Sequence, residues 1–404
     1  MYIFLFLRKT AFILIIALLI VMSSITGFVK LPNSVYFGAL IIFGITFFKS
    51  KNIHIGLSAI IFFILACLMS LLLNVYPEYF RVWDRFLVYL LVLLLVSPIF
   101  INNVINELRL KLFISIIVLC ILLSIASFFA YFLGINYFIV NEEVLDIQAG
   151  WFSGFMNHSM VLGPVSAISA IVTFSCFLSA TSKKLKIFLF LALLCCYGST
   201  LLAASRIALG GGTLGMIVVL ANHYRDQFLR FIRTIGIVFL LSITTFPLWS
   251  NLTDFVVAKQ NANIETGGTF SSRDTKLEAR ISEFNSSPLF GIGFCTINPT
   301  LDKVNIQSGQ IEPGSSWLAI ASMTGLLGFF TFIVVYIKAY YKALKFKNPL
   351  LSNIFCGLLS FYFIHMTVEG YIMAPGSFLT FMFWLLIGSI WVTNEVLYKS
   401  LSLK

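Results

Sequence analysis

From Leu112 to Leu133 the chain reads LFISIIVLCILLSIASFFAYFL, without one charged residue. As a helix rising about 1.5 Å per residue, such a run crosses the roughly 30 Å hydrocarbon core of a bilayer. Comparable apolar runs lie at 10–29, 33–48, 54–74, 84–101, 160–180, 186–204, 207–222, 233–250, 315–341, 350–369 and 375–395, twelve in all. The composition agrees: 59% of the 404 residues are hydrophobic, 11% are charged, and Phe alone occupies 43 positions, far from the balance of a soluble domain. The expected fold is an all-α polytopic membrane protein of about twelve transmembrane helices, a single membrane domain over 1–404. The first run is longer than a signal-peptide core and lacks a small-x-small cleavage site, so it is expected to be a retained helix.

A net charge of +11 invites a nucleic-acid reading, which the placement of the charges excludes. With the N-terminus inside, connections bearing Arg8, Lys49, Arg109, Lys183, Arg225 and Lys345 all fall on one side, with most other basic residues. Flanking charge sets orientation, so that side is expected to be cytoplasmic and to hold both termini. The outward basic residues are Lys30, Arg81, Arg85, Arg206, Lys259, Arg273, Lys276, Arg280 and Lys303. Six of the seven cysteines lie in apolar runs as small hydrophobes; Cys295, in an outer loop, has no evident disulfide partner.

Two outer connections are long, 134–159 and 251–314. Long loops without structure of their own tend to carry function. The second contains SSRDTKLEARISEFNSSPLFGIGF (271–294), which has helical signals: Ser272 as a cap, Asp274 and Glu278 near the first turn, Pro288 beyond an end at about Phe284. At 100° per residue Leu277, Ile281 and Phe284 share one stripe, and Arg273, Lys276 and Arg280 form a row at its edge. That pattern predicts a helix on the membrane surface, apolar face down and guanidinium groups at phosphate depth.

Arg206, in AASRIALGGGTLG, stands at the outer end of the seventh run, where an arginine either snorkels or faces a polar cavity. The glycines at 210, 211, 212 and 215 suit close helix packing. Arg206, Arg273 and Arg280 together offer three outward guanidiniums, fork-shaped donors that match the oxygens of a diphosphate and stay charged at any pH. In IEPGSSWLAIASMTGLLGFF, Ser315 or Ser316 can cap the tenth helix or, at its N-terminus, bind an anion, and Glu312 can serve as a general base. GWFSGFMNHSMVLGP (150–164) places Trp151, Phe152, Asn157 and His158 at the membrane edge, as belt and structural residues or as substrate contacts. Glu369, with His365 one turn earlier, is an interfacial acid and a fallback base, as is His158. A Walker-type loop, an H-E-x-x-H, metal-ligand Cys/His spacing and a D-x-D among the outer acids are all missing, so neither metal nor cofactor is expected.

Four pieces in this order, GWFSGFMNHSMVLGP, AASRIALGGGTLG, SSRDTKLEARISEFNSSPLFGIGF and EPGSSWLAIASMTGLLG, resemble the O-antigen polymerase and ligase superfamily of bacterial envelope glycosyltransferases. The third and fourth are similar to its shared block: an Arg-bearing helix, a "pl.G.G.g" turn, a gap, then a polar pair opening "yL.ll...G..G". The resemblance spans about 150–330. It implies a multi-helix enzyme of the bacterial cytoplasmic membrane, with a long outer loop over a cavity, acting without metal on sugars carried by undecaprenyl diphosphate. It further implies that Arg206 is the arginine at the membrane edge and that Arg273 and Arg280 are loop arginines. The ligase branch has a histidine in the polar pair where this chain has Ser315 and Ser316. That difference favours a polymerase that uses lipid-linked repeat units as both donor and acceptor, with a chain-length regulator as an expected partner. A ligase passing glycan to lipid A core and a secondary transporter or flippase are the alternatives, the last disfavoured by nearly apolar mid-span positions.

Overall fold

The computed structural model describes residues 2–49, 52–76, 81–137, 152–253, 256, 257, 261, 274–301 and 311–392. Each of the twelve apolar runs carries a helix: α1 (Tyr2–Ser24), α2 (Asn33–Ile45), α3 (Ser58–Leu72), α4 (Val82–Val96), α5 (Asn103–Phe132), α6 (Ser159–Ser179), α7 (Lys183–Leu202), α8 (Arg206–His223), α9 (Phe228–Trp249), α11 (Ser316–Leu344), α12 (Pro349–Val368) and α13 (Phe378–Ile390). The helix of the long loop is α10 (Asp274–Ser286). Among the described residues, six helices are long and apolar enough to cross a membrane: α5, α6, α7, α9, α11 and α12. Of the rest, α2 and α13 have only 13 residues each.

Side-chain caps fix several helix starts. Asn102 accepts from the amides of Val104 and Ile105 at 2.6 and 3.2 Å, Asn348 from Leu351 at 3.2 Å with Pro349 beginning the turn, and His158 from Met160 at 3.0 Å. Small residues set the helix spacing. Gly215 packs on Gly357 and Gly211 on Phe361, so α8 and α12 run antiparallel at close range. Hydroxyls of Ser124, Ser166 and Ser199 tie α5, α6 and α7 together. By contrast α9 has no buried residue in its span and presents apolar side chains all round, a surface suited to lipid.

Arg109 differs from the expectation of a charged connection. Helix α5 begins at Asn103, well before 112, and carries Arg109 into a fully buried position. Its guanidinium donates to the carbonyls of Leu95 at 2.9 Å, Phe100 at 2.7 Å and Leu94 at 3.4 Å. These include carbonyls that the end of α4 leaves unbonded, so the charge caps a helix C-terminus.

The main irregularity lies within α11, where Gly325 has φ 63° and ψ −168° and breaks the helix. A break in hydrocarbon frees backbone groups that water cannot satisfy. Residues 288–293 satisfy them: Leu326 N donates to Pro288 O at 2.8 Å and Leu327 N to Leu289 O at 3.4 Å, while Ile292 N donates to Ser322 O at 2.9 Å and Gly293 N to Met323 O at 3.3 Å. The Ser70 hydroxyl also donates to Met323 O. Contact is so close that a Cβ on Gly291 (φ +74°) would lie 2.3 Å from Met323 C, and one on Gly325 2.3 Å from Leu289 C. Only glycine accepts both the left-handed backbone and the missing space.

Gly291→Ala and Gly325→Ala are therefore expected to lower the melting temperature of the detergent-solubilised protein sharply. Overpacking costs about 1–3 kcal/mol, and the left-handed backbone adds about 1–2 kcal/mol. Gly210→Ala, where a Cβ meets open space, should leave it unchanged in the same thermal-shift measurement.

Candidate active site

The starts of α2, α4 and α13 and residues 295 and 311–313 border one cavity, and the first residue of α11 bonds to the residue that follows α12; the face they share is termed the loop face. Between α2, α4 and the strap 370–377 that joins α12 to α13 the loop face holds a cavity of about 680 Å³. Arg81, Asp84 and Arg85 line one wall, Glu312 and Pro313 another, and Cys295 and Met323, from the interlocked loop and helix break, a third. Arg81 precedes the first residue of α4 in a left-handed conformation, φ 50° and ψ 55°, unusual for a residue with a side chain. Burial pushes the Cys295 thiol up to about 12, with the nearby Arg85 charge pulling the other way; the thiol donates to Met373 O at 2.9 Å. Cys295 is thus a neutral wall residue.

Glu312 is half exposed and its carboxylate meets the Lys276 ammonium at 2.6 Å. That pair joins α10 to the segment leading into α11, at the edge of the cavity. Ser315 and Ser316 serve the backbone. Ser315 caps α11 through the Leu318 amide at 3.4 Å and donates to Met366 O at 3.3 Å. Ser316 Oγ donates to Glu369 O at 2.6 Å and accepts from the amides of Tyr371 and Ile372 at 3.0 and 3.3 Å. These bonds fix the strap carrying Gly370, Met373 and Pro375 into the cavity lining. Glu369 ends α12 and is half-buried; His365, one turn earlier, meets the Tyr371 hydroxyl at 3.2 Å and stacks on Phe361.

Arg280 is not at the edge of a surface helix. It is fully buried, its NH2 group 2.8 Å from Glu283 Oε1, and the same oxygen accepts from Asn298 N at 2.7 Å. Asn298 in turn donates to the Tyr76 hydroxyl at 2.9 Å. The buried face of α10 is Ala279, Arg280 and Glu283, whereas Ile281 is half exposed and Leu277 and Phe284 are only partly covered. The apolar stripe of the helix wheel is overridden because a paired charge inside the protein also satisfies the buried amide of Asn298. The expected cap Ser272 and Arg273, like Trp151, lie outside the described residues.

Arg206 is exposed at the first position of α8. The contacts of Gly215 with Gly357 and Gly211 with Phe361 step four residues in opposite senses. Continued one turn, that register sets Arg206 level with the last turn of α12, which Glu369 follows. Asn157 donates to Ser24 O at 3.3 Å and its amide to Ile25 O at 2.9 Å, anchoring the end of the 134–159 connection on α1 next to His158. The structure thus gathers Glu312 with Arg81, Asp84 and Arg85, keeps Ser315, Ser316 and Glu369 in the adjoining strap, and sets Arg206 outside the cavity lining. Among the described residues no group of three or more His, Cys, Asp or Glu could hold a metal ion.

Sequence reasoning passed over Arg81, Asp84 and Arg85 as site residues. The signal was present in RVWDRF: two outward arginines one helical turn apart, with an acid beside the second, at the start of an apolar run.

A helical membrane protein with a charged cavity at one face is the class that fold and site define. Residues 187–333 match the family model described as O-antigen ligase, which identifies that segment as a domain of this family and agrees with the polymerase and ligase superfamily. The matched segment runs from α7 past the break at Gly325 and includes Arg206 and Arg280. No curated protein matches the chain.

Removing one partner of the buried Arg280–Glu283 pair leaves an uncompensated charge, at a cost of about 3–5 kcal/mol. Arg280→Met and Glu283→Met are each expected to destabilise the protein by that order, and the double variant by clearly less. Thermal unfolding of the three in detergent checks this, and a purely ligand-binding Arg280 would show no such rescue.

Proposed function

We propose that this protein is a glycosyltransferase that joins oligosaccharide repeat units carried on undecaprenyl diphosphate into a surface polysaccharide. The observation that carries the reading is the O-antigen ligase family match over 187–333, the segment that supplies Arg206 and, through Cys295 and Met323, one wall of the charged cavity. The family supports polymerase- or ligase-type transfer in general. Serines in place of the ligase branch's histidine favour the polymerase, since both hydroxyls here are engaged with backbone groups.

In the proposed reaction an acceptor hydroxyl of one lipid-linked unit attacks the reducing-end C1 of another. The C1–oxygen bond to the diphosphate breaks, the hydroxyl proton passes to a base, and undecaprenyl diphosphate departs. Charge gathers on the departing diphosphate, so guanidiniums fixed before the reaction stabilise the transition state more than the ground state. Arg206 and Arg273 are assigned that role. Arg280 acts as a positioning residue, through the clasp with Glu283 that holds α10. Glu312 is the proposed base, released from Lys276 when substrate enters, with Glu369 and His158 as the other carriers of a proton. Asn157, Ser315 and Ser316 shape the surroundings. The proposed orientation puts the loop face outside the cytoplasmic membrane and both termini in the cytoplasm.

The test is purified protein in nanodiscs supplied with the host's lipid-linked repeat unit, products resolved by length. A ladder of lengthening glycan is expected, undiminished by chelator and reduced about 10²–10³-fold in Arg206→Ala, the range for loss of one transition-state donor. Transfer of unlengthened glycan to added lipid A core would establish the ligase instead. If authentic substrate gave neither product, glycosyl transfer would be excluded and substrate translocation would be measured next.

A further inference from the structure

In the proposed reaction the acceptor hydroxyl lies beside its base, and the base Glu312 lines the loop-face cavity whereas Arg206 stands outside that lining. What the cavity can admit is set largely by its α4 wall. Arg81, Asp84, Arg85 and Val88 recur at helical spacing, so one face of the first turns of α4 lines it. On that face the carboxylate lies within one turn of both guanidiniums. An anion reaching for either arginine therefore meets the charge of Asp84, and Glu312 brings a second carboxylate from another wall.

A lining of two guanidiniums and two carboxylates gives a polyanion little to gain. It suits a ligand whose polar groups each donate and accept, as a sugar hydroxyl does. Phe37, Met323 and Pro375 place apolar surface among the charges, as the C–H faces of a sugar ring require. The two carboxylates differ in availability. Glu312 is held by the Lys276 ammonium at 2.6 Å. Asp84 is exposed and, among the described residues, enters neither a hydrogen bond nor an ion pair. A helix N-terminus favours an acid anywhere in its first turn; only the cavity-lining position puts this one in a common space with Glu312. Ser377, just before α13, lines the same cavity, and its hydroxyl does not cap that helix.

We infer that this cavity is the acceptor site, that the sugar it admits is uncharged, and that Asp84 binds the hydroxyls of that sugar, with Arg81 and Ser377 beside it. This rests on the proposed glycosyl transfer and assigns specificity to residues outside the family-matched segment. Asp84 accepts from one hydroxyl while Arg81 donates to the oxygen of another, and the acceptor proton still passes to Glu312. A sugar bearing a carboxylate brings its charge against Asp84 and Glu312, the repulsive element by which a site rejects a wrong ligand.

Binding without lipid or diphosphate tests it. The probes are the host's repeat-unit oligosaccharide, cut from its lipid by mild acid, and the same oligosaccharide with its primary hydroxyls oxidised to carboxylates. Each is titrated into the full-length protein in phosphatidylcholine nanodiscs. The neutral form is expected to bind, and the oxidised form about fivefold more weakly. Asp84→Asn and Asp84→Ala are each expected to weaken the neutral form about tenfold, the scale of one hydrogen bond to a charged group, and to narrow the gap between the two forms. Because Asp84 is exposed, both variants should keep the melting temperature of the unaltered protein, which separates binding from folding. Unchanged affinity in both variants, oxidised oligosaccharide bound as tightly as neutral by the unaltered protein, or no binding of either form would overturn the site. If the expected pattern appears while the authentic lipid-linked unit is neither lengthened nor transferred, the sugar site stands and the transferase reading fails. Lengthening by the unaltered protein, with affinity unchanged in both Asp84 variants, gives the reverse.

Discussion

A helix that breaks inside its apolar run must hand its unbonded amides and carbonyls to another piece of backbone, and here that piece is Pro288–Gly293. The exchange at Gly325 fixes the loop more firmly than side-chain contacts could, because two left-handed glycines let main chain meet main chain without intervening atoms. Residues on either side of the interlock inherit its position. Ile292, Phe294 and Ile297 are buried behind it, Asn298 reaches Glu283, and Glu283 holds Arg280. Through Lys276 and Glu312 the same helix borders the cavity. The polar interruption of an otherwise apolar chain is therefore built into the bundle from its middle outward.

Charge divides into two uses. Arg109 and Arg280 are buried, and each is paired with the protein's own oxygens: three carbonyls for one, a carboxylate for the other. Such groups cost desolvation and contribute most by fixing geometry, since replacing only one member of a pair strands the other. Arg81, Arg85 and Arg206 keep solvent exposure at helix starts on the loop face. A guanidinium locked in a buried pair would have to strand its partner to reach a substrate. One in contact with solvent can exchange partners at small cost, which is why substrate binding is assigned to the exposed set and Arg280 to positioning.

The helices were legible because an apolar run satisfies its own backbone as a helix, and each of the twelve runs carries one, six of them long and apolar enough among the described residues to cross a membrane. Helix ends were less so. Asn102 starts α5 well before the apolar run, taking Arg109 inside, because carbonyls at the end of α4 pair with a charge that hydropathy alone assigns to solvent. The wheel for α10 failed for a similar reason: it ranks faces by apolarity and is blind to a buried Arg–Glu pair supplied with a backbone donor. At the site, Glu312 and the serine strap were visible as local motifs. Arg81 and Arg85 were visible only as outward charges, since the far walls of their cavity come from residues 295, 312 and beyond. The interlock was half visible: "PLFGIGF" and "MTGLLG" each carry glycines, but pairing them requires the third dimension.

The family match and the cavity do not cover the same residues, and the difference has a physical reading. Cys295, Ile311, Glu312, Pro313 and Met323 fall within 187–333, while Phe37, Arg81, Asp84, Arg85 and the strap 370–377 fall outside it. The matched part contains both glycines of the interlock, which cannot vary without breaking backbone contacts. Of the unmatched wall, Phe37, Arg81, Asp84 and Arg85 meet the cavity through side chains in or beside the first turns of α2 and α4, while the strap is tied by main-chain bonds to Ser316 and Cys295. On the proposed function, the rigid part supplies the base and the edge arginine, while the other wall is free to change with the lipid-linked glycan it admits. Differences in substrate between proteins sharing the matched segment would then be sought in the first turns of α2 and α4 before the interlock itself.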